Sequence, residues 1–167
     1  RRDTSVNRLE ELRHKIADRS AELGVIGLGY VGLPLGIEFA RAGFNVTGID
    51  IDEEKIRLLA DGVSYIEDVT TETLKEDQAA GRFRATSDYG VLTRLDVIHL
   101  CGPTPLTRSK DPDVAHMAKV VDEIKKRLRS GQLFVLGSTT SPGTSHDLFV
   151  PMLEETCLKV GKDFCLA

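Results

Sequence analysis

The residues best suited to holding a charged ligand form the run Gly27-Leu28-Gly29-Tyr30-Val31-Gly32, a G-x-G-x-x-G spacing. Each glycine in such a run has its own task. Gly27 allows a tight turn off a strand, Gly29 lets a pyrophosphate approach the backbone, and Gly32 lets a helix lie close to that strand. A helix that starts there offers free N–H groups and a partial positive charge to phosphates. Asp50 follows about twenty residues on, where a carboxylate takes both ribose hydroxyls and repels a 2′-phosphate, so NAD is favoured over NADP. Lys55 lies about one helical turn beyond Asp50. It either reaches the adenosine half of the ligand or is an exposed helix lysine, and spacing alone does not choose between them. A plain glycine turn and an S-adenosylmethionine site are the rival readings. The latter also pairs a glycine turn with an acid after the second strand.

Two further loops stand where chemistry is expected. Cys101-Gly102-Pro103-Thr104-Pro105-Leu106 follows the apolar run Val97–Leu100, and Gly137-Ser138-Thr139-Thr140-Ser141-Pro142-Gly143-Thr144 follows Leu133–Leu136. Open α/β sheets place ligands at the carboxyl ends of their strands. On composition alone, however, the hydroxyls of Ser138, Thr139 and Thr140 are better explained as helix caps. Cys101, Cys157 and Cys165 are odd in number and lack metal-ligand spacing, so no metal site is expected and a reducing cytoplasm is. His14 sits among charges and reads as a surface residue, while His99, His116 and His146 belong to no motif and fit structural roles.

The elements that must position these loops alternate along the chain. Leu9, Leu12 and Ile16 recur at helical spacing between Val6 and Asp18, giving a solvated helix with one narrow apolar stripe. Strands are expected at Leu23–Ile26, Phe44–Ile49, Phe83–Ala85, Val97–Leu100, Leu133–Leu136 and from Phe164. Helices are expected after Gly32, after Asp52, over Thr70–Ala80, after Asp88, from Asp111 to Leu128, and around Leu148–Leu153. Pro34 falls in the first turn of its helix, where its missing N–H costs little. Gly36 in the same helix signals close packing or a weakened helix. Strand–helix alternation of this kind is that of an α/β fold with a doubly wound, mostly parallel sheet. The three loops, 27–32, 102–106 and 138–140, should then converge on one sheet edge.

A chain of 167 residues, 41% hydrophobic and 29% charged, is long enough for one domain with a sizeable core. The net charge of −4 and the absence of tryptophan argue against a nucleic-acid partner. The uncharged stretch Leu23–Ile37 is glycine-rich and too short for a membrane span, and the segment before it is unlike a signal peptide. Arg1 in place of an initiator methionine points to processing or a cut chain.

These loops together resemble the NAD-binding domain of the UDP-glucose/GDP-mannose dehydrogenase family of nucleotide-sugar 6-dehydrogenases. The resemblance rests on IGLGYVGLPL at Ile26–Leu35, AGFNVTGIDID at Ala42–Asp52, RATSD at Arg84–Asp88, PTPL at Pro103–Leu106, DPD at Asp111–Asp113 and STTSPGT at Ser138–Thr144. It covers nearly everything from Leu23 onward and looks most like the UDP-N-acetylglucosamine 6-dehydrogenase branch. The division it implies is a helical extension over 1–20 and an NAD-binding domain over 21–167. By this resemblance, Gly27, Leu28, Gly29, Tyr30, Val31 and Gly32 match the pyrophosphate loop. Asp50 and Lys55 match the adenosine-ribose contacts. Gly102, Pro103, Thr104, Pro105 and Leu106, with Ser138, Thr139 and Thr140, match the loops lining the nicotinamide half. Thr139 also matches a catalytic hydroxyl that places water or a carboxylate, and so is favoured as functional over capping.

The implied chemistry is oxidation of the primary alcohol of a UDP-sugar to the uronic acid with two NAD, in a cytoplasmic enzyme of polysaccharide biosynthesis. An aldehyde is captured by a cysteine as a thiohemiacetal, converted to a thioester and hydrolysed. None of Cys101, Cys157 or Cys165 matches that cysteine. The family's Pro-Glu-Arg segment and its catalytic lysine, asparagine, cysteine and aspartate would follow Ala167, so NAD binding without turnover is expected. Gly102 and Gly137 stand where the family has valine and glutamate, Gly36 where it has alanine, and Cys165 where an aromatic is common. These departures keep a stand-alone nucleotide-binding module as an alternative. Homo-oligomerisation is left open.

Overall fold

Short apolar runs separated by amphipathic segments force the strands to the centre and the helices outward, and the computed structural model has that arrangement. It describes residues 4–101, 114–136 and 165–166. In chain order these form α1 (Thr4–Ala17), β1 (Glu22–Ile26), α2 (Gly32–Arg41), β2 (Asn45–Ile49), α3 (Glu53–Ala60), α4 (Thr71–Ala79), β3 (Phe83–Thr86), a 3₁₀ helix (Tyr89–Arg94), β4 (Val97–Leu100), α5 (Val114–Lys125), β5 (Leu133–Leu136) and β6 (Cys165–Leu166). The sheet order is β3-β2-β1-β4-β5-β6. Every neighbouring pair is parallel. Growth of the sheet reverses between β1 and β4, which makes their carboxyl ends the switch point where such sheets bind ligands.

The register separates two cores. Leu23 aligns with Val46 and Val25 with Gly48, so alternate residues face opposite layers. Leu23, Val25, Val46 and Phe83 pack on one face with Leu33, Ile37 and Ala40 of α2, Leu59 of α3 and Leu74 of α4. On the other, Ile26, Ile49, Ile98, Leu100 and Phe134 meet Tyr89 and Leu92 of the 3₁₀ helix and Val120, Val121 and Ile124 of α5. The α/β doubly wound expectation holds, with every described strand parallel. Gly36 is explained by close approach. A Cβ there would lie 3.3 Å from the Phe83 ring and 3.6 Å from Val46, so α2 sits tightly on the sheet.

At the opposite, amino-terminal edge, Asp96 fastens three other parts of the chain. One carboxylate oxygen accepts the Glu22 N–H at 2.9 Å, and the other takes Arg129 Nη2 at 2.9 Å and Lys15 Nζ at 3.5 Å. Lys15 and buried Leu12 thereby hold α1 to the sheet. Gln132, fully buried, donates to the carbonyls of Leu92 and Leu95 and accepts the Arg129 N–H. Two boundaries differ from the sequence expectation. The segment after Asp88 is a 3₁₀ helix, too short for more than two turns. α5 ends at Lys125, which leaves Leu128 beyond the helix, packed against the second core. The helix expected around Leu148–Leu153 lies outside the described residues.

Candidate functional site

β1 delivers the chain to the switch point, and the next six residues form the loop. Gly27 has φ +94°, a conformation that side chains disfavour. Its N–H donates to the Ile49 carbonyl at 2.8 Å, tying the loop to the end of β2. A Cβ on Gly32 would lie 1.7 Å from the Gly27 carbonyl oxygen, so only glycine permits α2 to start this close to the strand. A Cβ on Gly29 would meet nothing within 4 Å. The space over Gly29 is therefore open to a ligand.

The loop is held from below. Leu28 is fully buried, and its side chain presses on Gly48, where a Cβ would come within 2.7 Å of it. Its N–H donates to Asp50 Oδ2 at 2.9 Å, and its carbonyl accepts Tyr65 Oη at 2.6 Å. The other oxygen of Asp50 accepts the Asp52 N–H at 2.9 Å, and Asp52 in turn caps α3 by accepting from Glu54 and Lys55. Lys55 Nζ stands 3.9 Å from Asp50 Oδ2 and 5.9 Å from the centre of the Tyr65 ring. Lys55 thus stands beside Asp50 and is part-buried, not a fully exposed helix lysine.

No side chain caps α2. Among the described residues, the N–H groups of Gly29, Tyr30, Val31 and Gly32 find no backbone acceptor. An uncapped helix start, with a glycine that leaves open space, suits an anion. Tyr30 (82% exposed) and Val31 (61%) in the loop, and Ile51 (60%) directly after Asp50, are large side chains open to solvent. These features fit a dinucleotide: loop amides for the pyrophosphate, Asp50 for the ribose, Ile51 for an apolar ring.

Cys101 ends this edge on β4's side. It is buried, its N–H donates to the Ile26 carbonyl at 2.8 Å, and burial pushes its thiol pKa up, so it is not a poised nucleophile. His99 is half-buried beside the Phe39 ring at 4.9 Å, and burial lowers its pKa, which suits a neutral structural imidazole. Gly102, Pro103, Thr104, Pro105, Leu106, Ser138, Thr139 and Thr140 lie outside the described residues. The strands that lead to them, β4 and β5, end in register with each other and with β1. Tyr65 escaped the sequence reading. It sits in a non-periodic segment after Gly62, and its residue type alone gave no signal.

The comparisons with known proteins decide the family. Residues 21–167 match the model of the UDP-glucose/GDP-mannose dehydrogenase family, NAD binding domain. The chain belongs to this family. It is 34% identical over 146 residues to the UDP-N-acetyl-D-mannosamine dehydrogenase of Pyrococcus horikoshii, covering 87% of the chain and 35% of that protein. It is 33% identical over 147 residues to the UDP-N-acetyl-D-glucosamine 6-dehydrogenase of Pseudomonas aeruginosa, covering 87% and 34%. Its fold superimposes on the NDP-N-acetyl-D-galactosaminuronic acid dehydrogenase of Methanosarcina mazei Go1 with a TM-score of 0.82 at 33% identity, over 95% of the chain and 36% of that structure. The chain spans about a third of the length of the curated relatives it matches. As a UDP-glucose/GDP-mannose dehydrogenase NAD-binding domain, its cofactor is NAD. No described helix is long and apolar enough to cross a membrane.

Proposed function

We propose that residues 21–167 form the NAD-holding part of a nucleotide-sugar 6-dehydrogenase, and that residues 1–20 are a helical extension packed on it. The observation that carries the reading is the uncapped, open glycine loop joined to Asp50 through the Leu28 N–H. NAD would supply the hydride acceptor for oxidation of a sugar alcohol. This chain's own residues bind and orient. The amides of Gly29 to Gly32 take the pyrophosphate, and Asp50 takes the adenosine ribose with Lys55 beside it. Gly102 to Leu106 and Ser138 to Thr140 line the nicotinamide half, and Thr139 positions water or a carboxylate. The substrate is a UDP-sugar, with UDP-N-acetylglucosamine favoured by the PTPL, DPD and STTSPGT loops, and the product is a uronic acid for polysaccharide synthesis. The setting is the cytoplasm.

The thiol and general base of that oxidation are not assigned to any residue of this chain. The test is NADH formation by this chain with UDP-N-acetylglucosamine, UDP-N-acetylmannosamine and UDP-glucose, alongside an NAD-binding measurement. Binding without turnover is the expected result. Turnover by the 167 residues alone would contradict the assignment of catalysis elsewhere.

A further inference from the structure

Leu28 is fixed at three points: its buried side chain against Gly48, its N–H on Asp50 and its carbonyl on the Tyr65 hydroxyl. The Tyr65 hydroxyl bond, at 2.6 Å, bridges 37 residues of sequence between the glycine loop and the segment linking α3 to α4. The same Tyr65 ring lies 5.9 Å from Lys55 Nζ, and Lys55 lies 3.9 Å from Asp50 Oδ2. The contacts therefore close a circuit running Leu28, Tyr65, Lys55, Asp50 and back to Leu28. Burial, with the charges of Asp50 and Asp52 adding to it, raises the Tyr65 pKa and keeps its hydroxyl a donor.

We propose that Tyr65 is a positioning residue of the dinucleotide site, with separate roles for its two ends. The hydroxyl fixes the Leu28 carbonyl, so the amides that follow from Gly29 to Gly32 are held ready for the pyrophosphate. The ring holds Lys55 against Asp50 by a cation–π contact, which keeps that ammonium from swinging free to meet a 2′-phosphate. The hydroxyl thus acts on affinity and the ring on the choice between NAD and NADP. This inference rests on the reading of the loop and Asp50 as the NAD site.

The test is calorimetric titration of the wild-type chain, Tyr65→Phe and Tyr65→Leu with NAD and with NADP, each protein's melting recorded first. Tyr65→Phe keeps the ring and loses only the hydroxyl. It should weaken NAD binding by about two- to tenfold, the range of one net hydrogen bond, with the NAD-to-NADP preference unchanged. Tyr65→Leu should weaken NAD further and also narrow that preference. Lys55→Met in the Tyr65→Leu background should remove the narrowing, because the freed ammonium is its cause. Wild-type NAD affinity in Tyr65→Phe would overturn the hydroxyl's role, and an unchanged preference in Tyr65→Leu would overturn the ring's. If Tyr65→Leu does not fold, Tyr65→Met, which also lacks the ring, takes its place with the same expected and contrary results. Failure of the wild-type chain to bind NAD would overturn the underlying site assignment instead, and this inference with it.

Discussion

Two glycines of one motif are constrained by different things, and this separates fold from function at single residues. Gly32 is required by the chain itself, because a Cβ would lie 1.7 Å from the Gly27 carbonyl oxygen. Gly32→Ala should cost about 1–3 kcal/mol of stability, read from a denaturant midpoint. A Cβ added to Gly29 would meet nothing within 4 Å. Gly29→Ala should stay within about 0.5 kcal/mol of the parent in stability yet lose roughly tenfold or more in NAD affinity. A Gly29→Ala chain that binds NAD as the parent does would place the pyrophosphate elsewhere. The roles of Gly27 and Gly32 were legible in the sequence because the strand before and the helix after leave few alternatives. Tyr65 was not, because a hydrogen bond across 37 residues leaves no periodic trace.

At the scale of elements, the alternation of apolar and amphipathic segments placed nearly every described strand and helix. Boundaries slipped where short segments faced competing geometries. The 3₁₀ helix at Tyr89–Arg94 is capped by the Asp88 side chain on the Gly90 N–H and must deliver the chain to β4 within a few residues. The anchorage of α1 was not legible either, since Asp96 stands far from it in sequence. Asp96 is buried and joins the start of β1, the turn before β5 and α1. Asp96→Ala leaves the Glu22 N–H without its side-chain acceptor and Arg129 without its carboxylate partner, and should cost about 1–3 kcal/mol in a denaturant titration. Lys15→Ala removes only a half-exposed partner and should cost well under that. Equal losses in the two variants would mean that Asp96 matters to α1 alone.

At the scale of the molecule, His99 and Asp96 both tie stability to acid. Burial lowers the His99 pKa below its ordinary 6.5. Below that value the unfolded chain takes a proton that the folded chain resists, so stability falls with pH. Burial alone would raise the Asp96 carboxyl, but the Glu22 N–H, Arg129 and Lys15 outweigh it and the net shift from 3.8 is downward. Its contribution is complete above 3.8 and is lost as the pH falls through the lowered value. Melting temperatures followed down through these windows should therefore drop in two steps, and His99→Gln should flatten the first alone. No first step in the parent would mean that His99 titrates as it does in the unfolded chain.

Every functional role proposed for this chain depends on the glycine loop and Asp50 holding NAD together. The measurement that tests it most directly is a calorimetric titration of the chain with NAD, with NADP and S-adenosylmethionine as parallel ligands and Asp50→Ala as the paired variant. NAD should bind in preference to the other two, and Asp50→Ala should lose that binding, since it removes both the ribose acceptor and the tether on the Leu28 N–H. A well-folded chain that prefers S-adenosylmethionine, or an Asp50→Ala variant that binds NAD as the parent does, would contradict it.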